Sequence, residues 1–222
     1  MSIAAIVVVS LLATQSDSKK PSDAELIEQL PACEQLAGCP ASKTLIARGK
    51  AAVPALLKGL KHEKELVRFW CCGVLSEIRD PSAFDALVGA TRDKMTRVRT
   101  AALFALGSLG DKRATKVALT ALTDEDVNLR LAATLALGKL ADPAAIEPLK
   151  KALADKDDEV RGYAILALGD MRAKNAVDAI VLRLREDMKP QVVAFACIAL
   201  AQIGDRKATP EMTATVTRPG NV

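Results

Sequence analysis

The stretch Ala145 to Met171 reads AIEPLKKALADKDDEVRGYAILALGDM, and its parts recur at a fixed spacing through most of the 222-residue chain. Arg161 in its EVR triplet is matched by Arg130 in NLR, Arg99 in RVR and Arg68 in LVR, at a constant interval of 31 residues. A fifth copy follows with one extra residue and with Val193 in the arginine place. The unit endings agree as well: VLSEIRD, ALGSLGD, ALGKLAD, ALGDMRA and ALAQIGD. Self-similarity at one period of this length marks an array of like units, each unable to bury its apolar face alone.

Every unit reads as two helices. The first carries an apolar face: Val53, Leu56, Leu60; then Phe84, Leu87; then Ile146, Leu149, Leu153; then Val177, Ile180, Leu184. That spacing is one stripe of an α-helix. Asp80-Pro81 and Asp142-Pro143 set a capping carboxylate before a proline at the first helical position, where its missing N–H costs nothing. The second helix begins near the arginine. With that position as zero and about 100° per residue, positions −1, 0, +3, +4, +6, +7 and +10 share one broad arc. Apart from the arginine itself those columns are almost all apolar or small, as in Ala102, Leu103, Ala105, Leu106 and Leu109, so the arc is core. Gly107, Gly138 and Gly169 at +8 lie inside the helix, where glycine is unfavourable unless backbones approach closely. They are expected to be helix contact points.

The pattern resembles the HEAT repeat, in the short form shared with the HEAT-like repeats of phycocyanobilin lyases, over roughly residues 50–205, with a partial sixth unit in RKATPEMTATV. The resemblance implies an all-α fold: a right-handed α-solenoid of five to six helical hairpins that binds macromolecules or serves as a scaffold. It also implies that a loop aspartate bonds along the stack to the arginine column. Here those columns are Asp93, Asp124, Asp155 and Asp187 against Arg68, Arg99, Arg130 and Arg161. The expected organisation is a signal peptide over 1–16, a linker over 17–21, a helical cap over 22–48, five repeats over 49–205, and a partial repeat with a tail over 206–222. Within the cap, Ser22 to Glu25 reads as a capping box opening a short helix, and it shields the first repeat's core.

Composition agrees with this organisation. Half the residues are apolar but only 3% are aromatic, which suits helices packed through Ala and Leu. The net charge of +4 comes from 31 basic and 27 acidic residues dispersed along the chain, a weak signal for nucleic acid. The run Ile3 to Ala13 carries no charge and has the length of a signal-peptide core, too short to span a bilayer. Export to the periplasm or outside the cell is therefore expected, with a cytoplasmic protein as the alternative. No later segment reads as a membrane span, because charges interrupt every apolar run.

The single histidine, His62, occupies the loop-aspartate column six residues before Arg68. A metal site needs several converging ligands, so no metal and no cofactor are expected. Cys71, Cys72 and Cys197 fall in core columns as small hydrophobes. Cys33 and Cys39, in PACEQLAGCP outside the repeats, pair in an oxidising compartment if the chain is exported, with Gly38 permitting the turn, or else remain two buried thiols.

Opposite the core arc of the second helix, positions +1, +2, +5 and +9 ought to be polar if merely solvated. Yet five of the six aromatic residues lie there, and Leu or Ile fills +5 in three repeats. In a HEAT-type stack this arc lines the concave surface, which makes Phe69, Trp70, Phe104, Leu135, Tyr163, Leu166, Phe195 and Ile198 the candidate contacts for a protein or peptide partner. The competing arrangement buries much of the arc between neighbouring second helices. No nucleophile with a base, phosphate loop or carboxylate pair stands out, so a non-catalytic scaffold is expected, as a monomer or a component of a complex. The alternatives are a bilin-handling lyase or chaperone subunit, implied by the resemblance alone, and a nucleic-acid binder, for which the arc offers only Lys139.

Overall fold

The computed structural model describes residues 20–216. The apolar run Ile3 to Ala13 and the expected signal-peptide boundary lie outside them. Regular structure among the described residues is entirely helical. An N-terminal hairpin of α1 (Asp23–Gln29) and α2 (Pro40–Arg48) precedes the repeats. These follow as α3 (Val53–Gly59) with α4 (Glu65–Ile78), α5 (Phe84–Ala90) with α6 (Thr96–Leu109), and α7 (Thr115–Ala121) with α8 (Val127–Leu140). Next come α9 (Ile146–Ala152) with α10 (Asp158–Asp170), α11 (Val177–Glu186) with α12 (Pro190–Ile203), and finally α13 (Thr209–Val216). The chain is an α-solenoid.

Local chemistry sets the boundaries. Ser22 and Glu25 form the reciprocal capping box, Ser22 N–H donating to Glu25 Oε2 at 2.7 Å and Glu25 N–H to Ser22 Oγ at 3.3 Å. Each aspartate–proline start opens a short 3₁₀ turn that then widens into the α-helix: Pro81–Ala83 before α5 and Pro143–Ala145 before α9. Asp80, Asp111, Asp142 and Asp205 all accept the N–H two residues on. Second helices end in the left-handed region at one column, occupied by Arg79 (φ 54°), Gly110 (74°), Ala141 (46°), Arg172 (50°) and Gly204 (69°).

Two layers result. Helices α2, α4, α6, α8, α10 and α12 pack side by side through the array, while α5, α7 and α9 meet one another far less. The closer-packed layer is the inner one, so second helices line the concave side. The +8 glycines make the approach possible: a Cβ at Gly107 would sit 2.7 Å from Ala136 Cα, one at Gly169 2.7 Å from Ala199 Cα, and one at Gly138 3.1 Å from Ala167 Cβ. The N-terminal cap is itself a hairpin of this design, α1 packing on α3 and α2 on α4.

One seam interrupts the core. In the third repeat Thr115 and Ala118 hold the columns that carry Val53, Phe84, Ile146 or Val177 and Leu56, Leu87, Leu149 or Ile180 elsewhere. Thr115 is buried and donates its hydroxyl to Asp142 Oδ2 at 2.9 Å. With less apolar volume there, the buried residues fall largely into one cluster over the cap and first two repeats and another from α7 onward. A small set, Leu103, Leu129 and Ala132, lies between them.

Candidate functional site: the concave groove and the arginine ladder

At the N-terminal end of the concave side, α4, α6 and α8 leave an apolar groove of about 410 Å³. Phe69 and Trp70 form one wall, their rings edge to face at a centroid distance of 5.0 Å. Phe104, Leu131 and Leu135 form the other. The floor is made by Gly73, Ala101 and Ala132, whose small size leaves the depth. Phe104 stays 39% exposed, unusual for a large apolar side chain on a packed helix. Lys139 Nζ rests 3.6 Å from its ring centroid and donates to Ser108 Oγ at 2.9 Å. Burial, together with the charge of Arg79, moves the Lys139 ammonium below the ordinary lysine range.

Of the eight candidate contacts, the structure thus gathers Phe69, Trp70, Phe104 and Leu135 in one groove. The other four lie further along the array. Tyr163 and Phe195 pair at a ring distance of 5.9 Å, and Phe195 packs over Gly162, where an added Cβ would meet its ring at 2.8 Å. Leu166 is half-buried, and Ile198 is 48% exposed on α12, the last second helix described. Both arrangements considered from sequence therefore occur, an open groove at one end and packing between helices at Tyr163 and Phe195, with Ile198 left exposed. Ser76 and Asn128 line the groove from outside the expected columns, and so does Leu36, which comes from the loop between α1 and α2, closes the groove's end and reaches within 3.5 Å of a Cβ built on Gly73. Leu36 sits outside the repeats, so no column could reveal it.

On the loop side runs the ladder. Arg68 grips Asp93 with both prongs, Nε to Oδ2 at 2.6 Å and Nη2 to Oδ1 at 2.9 Å, while Nη1 donates to the carbonyls of His62 and Glu63. Arg130 treats Asp155 the same way at 2.8 and 2.9 Å, and Arg161 treats Asp187 so at 2.6 and 3.1 Å. Hydrogen bonds from the arginines, against burial, hold the Asp93 and Asp187 carboxyls below the usual aspartate range. For Asp155 burial is the largest influence and opposes the shift, yet its bonds to Arg130 and the Asp157 N–H still carry the carboxyl downward.

The fourth rung departs from expectation: among the described residues Arg99 forms no ion pair with Asp124. Arg99 Nη1 keeps its carbonyls, Asp93 O at 3.0 Å and Lys94 O at 3.3 Å, but Nη2 turns to Thr96 Oγ1 at 2.8 Å. Asp124 keeps only its local bond, accepting the Asp126 N–H at 2.9 Å. This gap coincides with the seam in the core.

His62 performs the local task of the aspartates it replaces. Its Nδ1 accepts the Lys64 N–H at 3.1 Å, as Asp93 Oδ1 accepts that of Met95. Nε2 therefore carries the proton and donates to Glu28 Oε1 at 2.9 Å, tying the first repeat to the cap. Cys71 and Cys72 are buried, and burial pushes the Cys71 thiol up to about 12 and raises that of Cys72 as well, so neither is a nucleophile. Cys197 is only half-buried. Cys33 and Cys39 are joined by a disulfide with a Cα separation of 5.3 Å, and Gly38 permits it without a positive φ.

Comparison with known proteins agrees with this geometry. The family model of HEAT repeats matches residues 24–103, 90–169 and 146–221, and the chain belongs to that family. Among solved structures, YibA of Escherichia coli is 19% identical, with 91% of this chain and 89% of that one covered and a TM-score of 0.66. The archaeal HEAT-like repeats protein from Thermococcus onnurineus NA1 is 17% identical, with 91% and 92% covered and a TM-score of 0.58. A designed armadillo repeat protein in complex with the peptide (KR)4 is 19% identical, with 82% and 100% covered and a TM-score of 0.54. A search of curated proteins gave no match.

Proposed function

We propose that this HEAT-repeat protein is a non-catalytic adaptor that holds an extended peptide segment of a partner in its concave groove. The observation that carries this reading is the preformed pocket between Phe69, Trp70, Phe104, Leu131 and Leu135, closed at one end by Leu36. Aromatic walls over a floor of small residues suit one or two apolar anchor side chains, whose burial supplies affinity without reshaping the array. Lys139 beside Phe104 offers a partly desolvated donor for a partner carbonyl or carboxylate. The peptide-bound armadillo neighbour supports the general mode, although its ligand is basic and this groove is apolar. Export is part of the proposal, supported by the apolar N-terminal run and by the Cys33–Cys39 disulfide, a bond at home in oxidising compartments.

A displayed peptide library selected on residues 20–222 tests the reading. Enriched sequences should carry paired apolar or aromatic anchors, and Phe104→Glu should weaken the selected peptides about tenfold or more, as for loss of a central anchor. Ile198→Glu, at the far end, should leave them unchanged. Equal binding to wild type and Phe104→Glu would remove the function from this groove. Visible absorbance of protein purified from its source cells separates the proposal from a bilin-handling role.

A further inference from the structure

We propose that the open edge of Arg99 is a binding site for an external carboxylate carried on an apolar group. In three rungs of the ladder Nη1 is fixed by two backbone carbonyls, and the Nε–Nη2 edge clamps an aspartate. Arg99 keeps the same Nη1 anchors, so its guanidinium is held in place, but among the described residues no carboxylate bonds its Nε–Nη2 edge, where Nη2 donates only to the neutral hydroxyl of Thr96 at 2.8 Å. A guanidinium edge fixed in this way is preorganised for a planar, two-oxygen anion.

The surroundings select the ligand. Arg99 opens into a notch of about 440 Å³ between α5 and α7, walled by Val88, Leu103 and Val117 with Arg92 and Lys116 at its rim. Among the described residues neither Arg92 nor Lys116 has a side-chain partner in an ion pair or hydrogen bond, and Asp124 is the one carboxylate among those lining the notch. Three cations line the notch against Asp124, with Asp126 near Arg99 behind Thr96, so positive charge is still in net excess, and the apolar walls favour a hydrocarbon attached to the acid. The next notch along provides an internal control: it has a similar volume, about 450 Å³, but Arg130 and Asp155 within it are already bonded to each other. Two sources share this chemistry, a small organic acid and the C-terminal carboxylate of a polypeptide with an apolar last residue. Asp124 lines the same notch without bonding Arg99, so its negative charge opposes an incoming carboxylate.

The test is a titration of the isotope-labelled chain, followed by amide shifts at low salt. The probes are sodium hexanoate, sodium acetate, and a Leu-terminated tetrapeptide as free acid and as amide. Hexanoate or the peptide acid should move amides of α6 and α7, with acetate weaker and the peptide amide silent. Asp124→Asn should tighten binding, and Arg99→Gln should weaken it about tenfold. Should Arg99→Gln unfold, the exposed pair Arg92→Gln/Lys116→Gln gives the same reading with a smaller loss. Response to hexanoate alone assigns a small acid, and response to the peptide acid alone assigns a polypeptide end. Shifts that persist unchanged in the variants, or that are absent in both wild type and Asp124→Asn, overturn the proposal.

Discussion

At the scale of single residues, the ladder and the helix ends make the sharpest statements. Arg68 and Asp93 have side chains only 7% and 11% exposed, so removing one leaves the other buried and uncompensated. Asp93→Asn should cost about 3 kcal/mol in urea unfolding at neutral pH. The ladder carboxyls are held below their unfolded values, so the stability they contribute is complete above about pH 4, the ordinary aspartate value. It is lost as pH falls through their folded values. Stability measured from pH 6 down to pH 2 should therefore fall more steeply for wild type than for Asp93→Asn. Ala141 spends its φ of 46° in the region where a Cβ is crowded, at an exposed position. Ala141→Gly should stabilise the chain by about 0.5–1 kcal/mol, read as a raised melting temperature. The ladder's columns were legible because arginine and aspartate recur in register. The failure of Arg99 was not, since arginine and aspartate both stand in their columns there.

At the scale of helices, the +8 glycines rank the interfaces between neighbouring second helices. A methyl group at Gly107 or Gly169 collides with backbone at 2.7 Å, while at Gly138 the nearest atom is a side-chain Cβ at 3.1 Å. Replacing a mid-helix glycine by alanine gains about 1 kcal/mol of propensity, and overpacking costs about 1–3 kcal/mol. Gly107→Ala and Gly169→Ala should thus be net destabilising, and Gly138→Ala close to neutral, in equilibrium unfolding of the three variants. The glycine contacts could be foreseen because glycine inside a good helix demands a reason. The small Thr115 and Ala118 of the third repeat were an equally plain signal, a gap in two columns otherwise filled by large apolar side chains. Whether the aromatic arc would be open or packed could not be read from one helix. It depends on what the neighbouring helix presents, Gly73 and Ala101 beneath the groove but Phe195 over Gly162 further on.

At the scale of the whole molecule, two layers of unequal closeness and one cap make the groove. Its end wall, Leu36, stands in the loop spanned by Cys33 and Cys39, where Ser42 donates its hydroxyl to the Leu36 and Cys39 carbonyls. Replacing both cysteines by serine should therefore weaken a groove-bound peptide without unfolding the repeats, seen as lower affinity with unchanged helical circular dichroism. The solenoid was legible from the 31-residue interval alone. The cap's identity as a further hairpin was not, because its loop has a different length and its arginine is missing, with His62 and Glu28 tying it to the first repeat instead.

The identical anchoring of each arginine by its own loop carbonyls means that a unit carries half of every junction on either side. Units are thus interchangeable parts, and the array's length is open to shortening by splicing. Excision of residues 111–141 would join Gly110 to Asp142, bring Arg99 opposite Asp155 and set Gly107 against Ala167, the same pairings one step out of turn. The shortened chain would be a working solenoid in which the one unclosed rung has found its aspartate.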